Sequence, residues 1–513
     1  MDPTPLNSSM NTDSGHTTSL WMKTAPDLSR SRLSESVTTD VCIVGGGIAG
    51  ISAAYLLTRQ GKSVIVLDDG VLGGGVTCRT TAHLSNAIDD RYTEIERLHG
   101  EKGAQLTADS HTAAIKQIEK NIRTEAIECD FEWLDGFLFV PPGEKSTVLE
   151  EELQAAHRAG LGDVAMLDRA PLEFNTGPCL RFPRQAQFHP LKYLAGLVRA
   201  IEARQGRLHT GTHVTQIEGG DHAEVQTSSG FRVTAQAVIV ATNTPVNDLF
   251  ALHTKQYAYR SYVIAMPVPP GSLTKALYWD TADPYHYVRL HAVDGVEMLI
   301  VGGEDHKTGQ ADDAEERYTR LSTWARERFP ISGPITFRWS GQVMEPVDGL
   351  AFIGRNPMDK DNVFIATGDS GMGMTHGTIA GILLTDLILK RPNPWGDLYD
   401  PSRISLRTAS EFLQENVNVG TQYVKYLTPG DVSSASEIPP GTGAVVREGL
   451  KKVAVFRDEH GQCHRLSAVC PHLGCLVGWN SLEKTWDCPC HGSRFTSDGH
   501  VINGPAISDL SSA

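Results

Sequence analysis

Two short loops near the C-terminus concentrate the residues with the clearest chemistry. The first is CPHLGC, from Cys470 to Cys475, and the second begins CPCHGS at Cys488. The loops offer a Cys-x-His spacing at Cys470 and His472 and a Cys-x-x-His spacing at Cys488 and His491. Two thiolates and two imidazoles can hold a tetrahedral zinc ion, or a [2Fe–2S] cluster with cysteines on one iron and histidines on the other. The number of ligands alone does not decide between these metals.

Each loop also contains one cysteine, Cys475 or Cys490, that neither metal centre needs as a ligand. The combined pattern C-x-H-L-G-C and C-P-C-H-G-S resembles the Rieske proteins of cytochrome bc and related complexes. This resemblance implies a disulfide between Cys475 and Cys490 that joins the loops over the cluster. It also implies one [2Fe–2S] cluster with four ligands: Cys470, His472, Cys488 and His491.

Two neighbouring residues bear on the potential of such a cluster. Ser493 stands where the serine of Rieske proteins donates a hydrogen bond to a cluster sulfur, which raises the potential. Phe495 replaces the tyrosine of many high-potential members, so we expect a potential below the top of the range of about −150 to +300 mV. The Gly504-Pro505 loop is expected to shield the cluster.

A glycine-rich turn near the N-terminus predicts a dinucleotide site. A buried strand, Val41 to Val44, precedes a G-x-G-x-x-G turn and an apolar-patterned helix from Ile48 to Gln60. Glycines at these positions permit the tight turn, the approach of a pyrophosphate to the backbone, and close packing of helix on strand. The next strand ends in Asp68, which can accept hydrogen bonds from the adenosine ribose and disfavours a 2′-phosphate. Residues expected at this end of the cofactor are Gly45, Gly47, Ile48, Ala49, Gly50 and Asp68.

Further segments identify the dinucleotide as FAD by resemblance. The sequences GGGVTCRTTAHLS (residues 73–85), FRVTAQAVIVATNTP (231–245), PVDGLAFIGRNP (346–357) and NVFIATGDSGMGMTHG (362–377) resemble the D-amino-acid oxidase and glycine oxidase family. The resemblance implies that the first loop runs beneath the flavin, and that a helix starting near Thr375 points its positive end at the ring. It places these further residues at FAD: Gly75, Thr77, Arg79, Gly368, Gly371, Met372, Gly373, Met374 and Thr375.

Arg79 stands where some relatives carry a histidine bonded covalently to the flavin, so we expect non-covalent FAD. His83 and Cys78 are the less favoured alternatives for a covalent link. The segment GMGMTHG lacks the spacing of a second fingerprint and is followed by no acid-terminated strand. We therefore expect no nicotinamide site.

The middle of the chain predicts a substrate domain built on period-2 strands. In amine and amino-acid oxidases of this shape, such a sheet roofs the flavin and holds an arginine for the substrate carboxylate. Arg289, flanked by Tyr287 and His291, is the first candidate for a catalytic or binding residue, and His306 with Lys307 is the second. A structural role remains the alternative for each of them.

The whole chain has 513 residues, 40 % of them hydrophobic, and a net charge of −15. The acidic balance argues against a nucleic-acid partner, and no apolar run is long enough to span a membrane. We expect an α/β flavoprotein, with a Rossmann-like FAD domain and a mixed-sheet substrate domain, followed by a small all-β Rieske domain. The expected parts are a disordered tail (1–36), nucleotide-binding segments (37–90, 183–247, 342–395), substrate-domain segments (91–182, 248–341), a helical linker and hinge (396–436) and the Rieske domain (437–513).

These features predict a cytoplasmic FAD-dependent dehydrogenase. It would oxidise an amine, an amino acid or a similar small donor and pass electrons singly through the cluster to an external acceptor or redox protein. The alternative is an electron-transfer or redox-sensing protein without a small substrate of its own. A ring-hydroxylating oxygenase component is disfavoured, because no set of two histidines and a carboxylate for a mononuclear iron stands out.

Overall fold

The structure is a computed structural model that describes residues 14–513 except 142, 144, 247–251, 358, 404–421 and 427. Its helices are α1 (Leu20–Thr24), α2 (Ile48–Arg59), α3 (Arg91–Glu125), α4 (Thr147–Arg158), α5 (Pro190–Ala203), α6 (Ala314–Arg328), α7 (Gly373–Ile388) and α8 (Gly396–Tyr399). Short 3₁₀ turns occur at Val76–Arg79, His253–Lys255, Tyr423–Tyr426 and Ala435–Glu437. None of the helices in the described part of the chain is long and apolar enough to cross a membrane.

The strands of the described residues are β1 (Val37–Val44), β2 (Val64–Leu67), β3 (His83–Leu84), β4 (Glu132–Phe139), β5 (Ala165–Leu167), β6 (Cys179–Gln187), β7 (Arg207–His209), β8 (Val214–Glu218), β9 (Ala223–Thr227), β10 (Arg232–Val240), β11 (Gln256–Pro267), β12 (Leu277–Asp280), β13 (His286–Val293), β14 (Val296–Lys307), β15 (Phe337–Pro346), β16 (Phe352–Arg355), β17 (Val363–Thr367), β18 (Thr442–Glu448), β19 (Lys451–Arg457), β20 (Cys463–Ser467), β21 (Gly478–Asn480), β22 (Thr485–Asp487), β23 (Arg494–Thr496) and β24 (Val501–Asn503).

The predicted nucleotide-binding half is a sheet of order β16-β17-β10-β1-β2-β7, with β9 and β8 added beside β10. Its central pairs, β10 with β1 and β1 with β2, are parallel. All of β2 and the last four residues of β1 and of β10 are buried. Helices α2 and α7 pack closely, and glycines in α7 make this possible. A Cβ at Gly377 or Gly381 would lie only 2.6 or 2.7 Å from α2 atoms. Helix α2, which begins in the G-x-G-x-x-G turn, therefore packs against both α7 and the sheet strands β1 and β2.

The predicted substrate half is a mixed sheet of order β15-β11-β14-β13-β12-β4-β6-β3, with β5 beside β6. Most of its strands come from the two predicted substrate segments, but β3 and parts of β6 and β15 lie in the predicted nucleotide-binding segments. The long helix α3 belongs to one of those segments by sequence, yet it packs against α5 and α7 of the nucleotide half. The domain boundaries drawn from sequence thus remain predictions.

The C-terminal part is all β, as expected. It holds a three-stranded sheet, β18-β19-β20, and a four-stranded sheet, β21-β22-β23-β24. The two metal-ligand loops follow β20 and β22 and pack into one apolar core with Trp479, Trp486 and Phe495. Most of the predicted linker helix (residues 410–427) lies outside the described residues, and Tyr423–Tyr426 forms a 3₁₀ turn.

The prediction of a disordered N-terminal tail is wrong for residues 14–36. Helix α1 forms there, and Leu20, Trp21 and Met22 are buried in the main core. The indole N–H of Trp21 donates to the Thr80 carbonyl at 2.6 Å. The polar composition suggested a solvated tail, whereas a single apolar triplet secures the segment to the flavoprotein core.

Candidate functional site

One large cavity of about 350 Å³ runs between the two halves of the flavoprotein. Most of the predicted FAD residues lie on its wall: Gly45, Gly47, Ile48, Ala49, Asp68, Gly75, Thr77, Arg79, Gly368, Gly371, Met372, Gly373 and Met374. Gly50 and Thr375 are not on the wall. That the wall residues contact FAD stays a prediction, but their convergence on one cavity supports it.

The glycine-rich turn forms one end of the cavity. Gly45 has φ +105°, and a Cβ there would lie 2.3 Å from the Ala241 carbonyl oxygen. A Cβ at Gly50 would lie 2.0 Å from the Gly45 carbonyl oxygen, so Gly50 serves helix packing rather than the cofactor surface. Asp68 accepts hydrogen bonds from the N–H groups of Gly46 at 2.6 Å and Gly70 at 2.9 Å. The carboxylate is thereby held at the cavity wall, where it fits the ribose of a dinucleotide.

The other end of the cavity is aromatic and acidic. We call it the aromatic end, and its wall includes His83, Asp89, Trp279, Tyr285 and Tyr287. The Tyr285 hydroxyl donates to Asp89 Oδ2 at 3.3 Å, and the Tyr285 and Tyr287 rings lie 5.5 Å apart. Burial, with Arg289 adding to it, lowers the pKa of His83 to about 3, so this imidazole is neutral.

Asp89 carries an unusual carboxyl at this end. Its surface is exposed to the cavity, while the surrounding protein removes it from bulk water. This desolvation, followed by repulsion from Asp90 and Asp305, raises the pKa of Asp89 to about 7. A carboxyl with that pKa can exchange a proton with a donor near neutral pH.

Arg79 does not present its charge to the cavity. Its guanidinium donates to Ser14 Oγ at 3.0 Å and Thr17 Oγ1 at 2.7 Å and pairs with Glu483 at 3.2 Å. Only the rest of the residue is left for the wall. That Arg79 lies at FAD stays a prediction, while its guanidinium has partners in the N-terminal segment that were not predicted from the sequence.

Arg289 is not a substrate-binding arginine. It is fully buried and absent from the cavity wall, and its Nη1 donates to the carbonyls of Thr81 (3.0 Å) and Ala82 (2.7 Å). Trp21 covers it, with the guanidinium 5.3 Å from the ring centroid. Tyr287, two residues earlier on β13, does reach the cavity, so the strand passes from the cavity into the core between these positions.

His306 also lies away from the cavity wall. Its Nε2 is 3.0 Å from the Tyr262 hydroxyl and its Nδ1 is 2.9 Å from the Lys307 carbonyl oxygen. The Lys307 ammonium sits over the rings of Tyr257 and Tyr259. Of the catalytic candidates from the sequence, only Tyr287 lies on the cavity wall and remains as a residue for the reaction.

Cys78, an alternative for a covalent link to the flavin, is not on the cavity wall either. It is buried against the carbonyls of Gly74 and Gly75.

The two metal-ligand loops come together at the base of the Rieske part. Cys475 and Cys490 form the predicted disulfide. Cys470, Cys488 and His491 are buried, and the His491 ring stands nearly perpendicular to that of His472 with centroids 5.0 Å apart. The Cys470 side chain lies close enough to interact with those of Cys488 and Ser493, and these interactions lower the pKa of its thiol.

The ligand geometry fits a two-iron cluster better than one zinc ion. Among the described residues, a single-ion grouping within 4.8 Å occurs only for Cys475, Cys488 and Cys490, two of which are joined in the disulfide. The predicted ligand set is spread more widely than one tetrahedral ion requires. Two cysteines on one side and two histidines on the other match a cluster with two irons.

A buried charge cluster, which was not predicted from the sequence, joins the Rieske part to the flavoprotein. We call it the interface ion cluster. Arg260 pairs with Asp487 at 3.2 Å, Arg494 pairs with Asp487 at 3.3 Å, and all three side chains are buried. Glu483 completes it with Arg79.

The N-terminal segment, residues 14–24, fills the space beside this cluster. Thr17 N–H donates to Glu483 Oε2 at 2.9 Å, and Ser14 accepts from Arg494 through its carbonyl at 2.9 Å. Ser14 Oγ donates to the Gly74 carbonyl in the predicted flavin loop at 2.7 Å. The segment therefore contacts both modules.

Gln342 connects the cavity with a metal-ligand loop. It lies on the cavity wall, and its side-chain amide donates to the Gly492 carbonyl at 3.0 Å. Gly492 directly follows His491 and packs so closely that a Cβ would be 2.3 Å from Ala258. The Gln342 side chain thus extends from the cavity wall to the loop that carries His491.

Comparison with known proteins agrees with both halves of the structure. Residues 40–387 match the family described as FAD dependent oxidoreductase, and residues 428–513 match the Rieske [2Fe-2S] domain. The chain therefore belongs to the FAD-dependent oxidoreductase family and ends in a Rieske domain. It is an oxidoreductase of the amino-acid oxidase type whose cofactors are FAD and one [2Fe–2S] cluster.

Individual relatives show how far this likeness extends. A Bacillus subtilis protein, YhfW, described as a Rieske 2Fe-2S iron-sulfur protein, is 33 % identical over 496 residues, which is 96 % of each chain. The gamma-glutamylputrescine oxidoreductase of Escherichia coli is 29 % identical and covers 69 % of this chain and 85 % of its own. The crystal structure of glycine oxidase from Geobacillus kaustophilus shares the fold, with a TM-score of 0.58 at 17 % identity over 72 % of this chain and 99 % of its own.

Proposed function

We propose that this protein is an FAD-dependent amine dehydrogenase that delivers electrons one at a time, through its Rieske cluster, to an external acceptor. When bound, FAD accepts a hydride and the cluster accepts single electrons. From an alkylammonium donor, oxidation removes a proton from the nitrogen and a hydride from the adjacent carbon, which leaves a protonated imine. The two electrons then leave singly to two equivalents of a one-electron acceptor.

The residues at the aromatic end of the cavity favour an amine over an amino acid as the electron donor. Arg79 is the sole arginine or lysine among the described residues of the wall, and its guanidinium is held by Ser14, Thr17 and Glu483. A substrate carboxylate would therefore meet Asp89 without a paired cation to receive it. An alkylammonium group instead finds that carboxylate and the faces of Tyr285 and Tyr287, which favour a cation. The name of the E. coli relative, which refers to an amine, is consistent with this choice.

Asp89 is proposed to bind the ammonium group and to accept its proton. A pKa of about 7 suits that task, because a general base works best when its pKa lies near the operating pH. Neutral His83 and the hydroxyl of Tyr287 complete the wall without adding positive charge.

A matched series of donors tests the proposal. Anaerobic protein is mixed with pentylamine, with norleucine, which adds a carboxylate to that skeleton, and with the pair cadaverine and lysine. Flavin absorbance and the electron paramagnetic resonance signal of the cluster are followed together. We expect the amines to bleach the flavin and reduce the cluster, and the amino acids to do neither.

Reduction by the amino acids but not by the amines would contradict the choice of substrate. If no donor in a wider amine panel reduces the flavin but a reduced protein partner does, the electron-transfer alternative replaces the enzyme.

A further inference from the structure

One wall of the FAD cavity is made by the Rieske part of the chain. The wall includes a stretch that we call the capping loop, residues 501–507, of which these line the cavity: Val501, Ile502, Asn503, Gly504, Ala506 and Ile507. The capping loop lies beyond residues 40–387, which match the FAD-dependent oxidoreductase family, and within the Rieske match. Its role toward FAD follows from the contacts of this chain.

The capping loop lies over the end of the cavity that holds Asp68. The Thr212 N–H donates to the Asp68 carbonyl at 2.8 Å, and Thr212 and His213 both line the cavity beside it. His213 Nδ1 lies 3.5 Å from Asp69 Oδ2, beside Asp68. The segment that packs on Gly504 of the capping loop begins at Ala241, whose carbonyl oxygen would lie 2.3 Å from a Cβ at Gly45 of the fingerprint. Since Asp68 is the ribose-binding acid of the fingerprint, this end of the cavity is the adenosine end.

Packing fixes the capping loop against the flavoprotein. The Gly504 Cβ position lies 3.4 Å from the Thr244 carbonyl oxygen and 3.8 Å from Val246 Cγ1, in the segment that follows β10. On its other side the Ala506 N–H donates to Ser493 Oγ at 3.0 Å, within the cluster-binding loop. The capping loop thus touches the FAD cavity and the cluster surroundings at once.

We propose that the Rieske domain is part of the FAD-binding site, with the capping loop closing the cavity over the adenosine half of the cofactor. FAD can then leave only when this loop moves. The loop is linked to the interface ion cluster through Arg494, which pairs with Asn503 across β23 and β24. Binding of FAD and docking of the Rieske domain become reciprocally coupled, since each stabilises the arrangement that the other requires. This proposal concerns the cofactor and does not depend on which donor is oxidised.

The test removes the capping-loop side chains and measures FAD affinity directly. The full-length double variant Ile502→Ala, Asn503→Ala is first depleted of FAD. It is then titrated with FAD, and the change in FAD fluorescence reports binding. We expect FAD to bind at least about tenfold more weakly, which is about 1.4 kcal/mol. The electron paramagnetic resonance signal of the cluster is expected to remain, which shows that the Rieske domain is folded.

Leu450→Ala is the matched control, because Leu450 is on the same domain and is 95 % exposed in a turn away from the cavity wall. Its FAD affinity should equal that of the parent. Parent-like affinity in the double variant with an intact cluster signal overturns the proposal. If the double variant loses its cluster, Ile507→Ser decides in the same way, because Ile507 lines the cavity yet is 51 % exposed and its replacement spares the domain core.

Discussion

At the scale of single residues, the proposed amine site depends most on Asp89. Asp89→Asn keeps the size of the side chain but removes the charge that would receive an ammonium group. We expect KM for an amine to rise by about tenfold or more, since a charge-assisted contact contributes about 1.5–3 kcal/mol. Steady-state kinetics with pentylamine measure it, and unchanged flavin and cluster spectra show that the cofactors are retained.

The same residue predicts a pH dependence. Desolvation raises the pKa of Asp89 to about 7, so the carboxylate form is scarce at low pH and dominates above neutrality. KM for the amine is therefore expected to fall as pH rises from about 6 to about 8, where the alkylammonium itself stays protonated. Asp89→Asn should lose this dependence; a variant that keeps the parent profile would assign the titration to another group.

Gln342 is the residue expected to matter for transfer between the two cofactors. Gln342→Leu removes the hydrogen bond to the Gly492 carbonyl and leaves that buried oxygen without this partner. We expect slower reduction of the cluster after flavin bleaching in stopped-flow experiments, and a loss of about 1–3 kcal/mol in the free energy of unfolding. An unchanged rate of cluster reduction would show that electrons take a different route.

At the scale of elements, the N-terminal segment behaves as part of the folded core. Trp21 is fully buried, packs on Arg289 and donates to the Thr80 carbonyl. Trp21→Ala should lower the free energy of unfolding by about 3–5 kcal/mol, the usual cost of removing a buried tryptophan. Chemical denaturation measures it, and Trp133→Ala is the control because Trp133 is 40 % exposed. Equal effects of the two substitutions would contradict the packing described here.

At the scale of the whole molecule, the interface ion cluster holds the modules in one arrangement. Burial alone would raise the pKa of Glu483, but Arg79, Arg260 and Arg494 outweigh it and lower the value to about 2. Because the pKa is about 4.5 in the unfolded chain, this stabilisation is complete above that pH and is lost as pH falls toward about 2. Acid should therefore weaken the contact between the two modules as pH falls from about 4.5 toward about 2.

Glu483→Gln tests the cluster at neutral pH. It leaves three buried guanidinium groups with less compensating charge, which typically costs about 3–5 kcal/mol. We expect an equivalent drop in the free energy of unfolding by chemical denaturation. Glu448→Gln, whose pair with Arg465 is largely exposed, should change stability by about 1 kcal/mol or less. Similar losses for both variants would show that burial at the interface adds nothing.

Local patterns indicated a dinucleotide site and a Cys–His metal centre, and the resemblances to known families identified these as sites for FAD and a [2Fe–2S] cluster. The glycine turn with Asp68 and the two Cys–His loops each depend on residues that are close together in the sequence. Their chemistry can therefore be predicted from short stretches of the chain. The strand, turn and helix around Gly45 were predicted on the same basis, whereas the disulfide between Cys475 and Cys490 was implied by the resemblance to Rieske proteins.

Which residues from distant parts of the chain contact these sites depends on tertiary packing. Arg289 and Arg79 have the right residue type for a carboxylate or a cofactor, yet Trp21 covers one and Glu483 neutralises the other. Those partners are separated from them by hundreds of positions, and the contacts form only when distant segments pack. The same holds for the capping loop at the FAD cavity, because spacing along the chain carries no information about which surfaces dock.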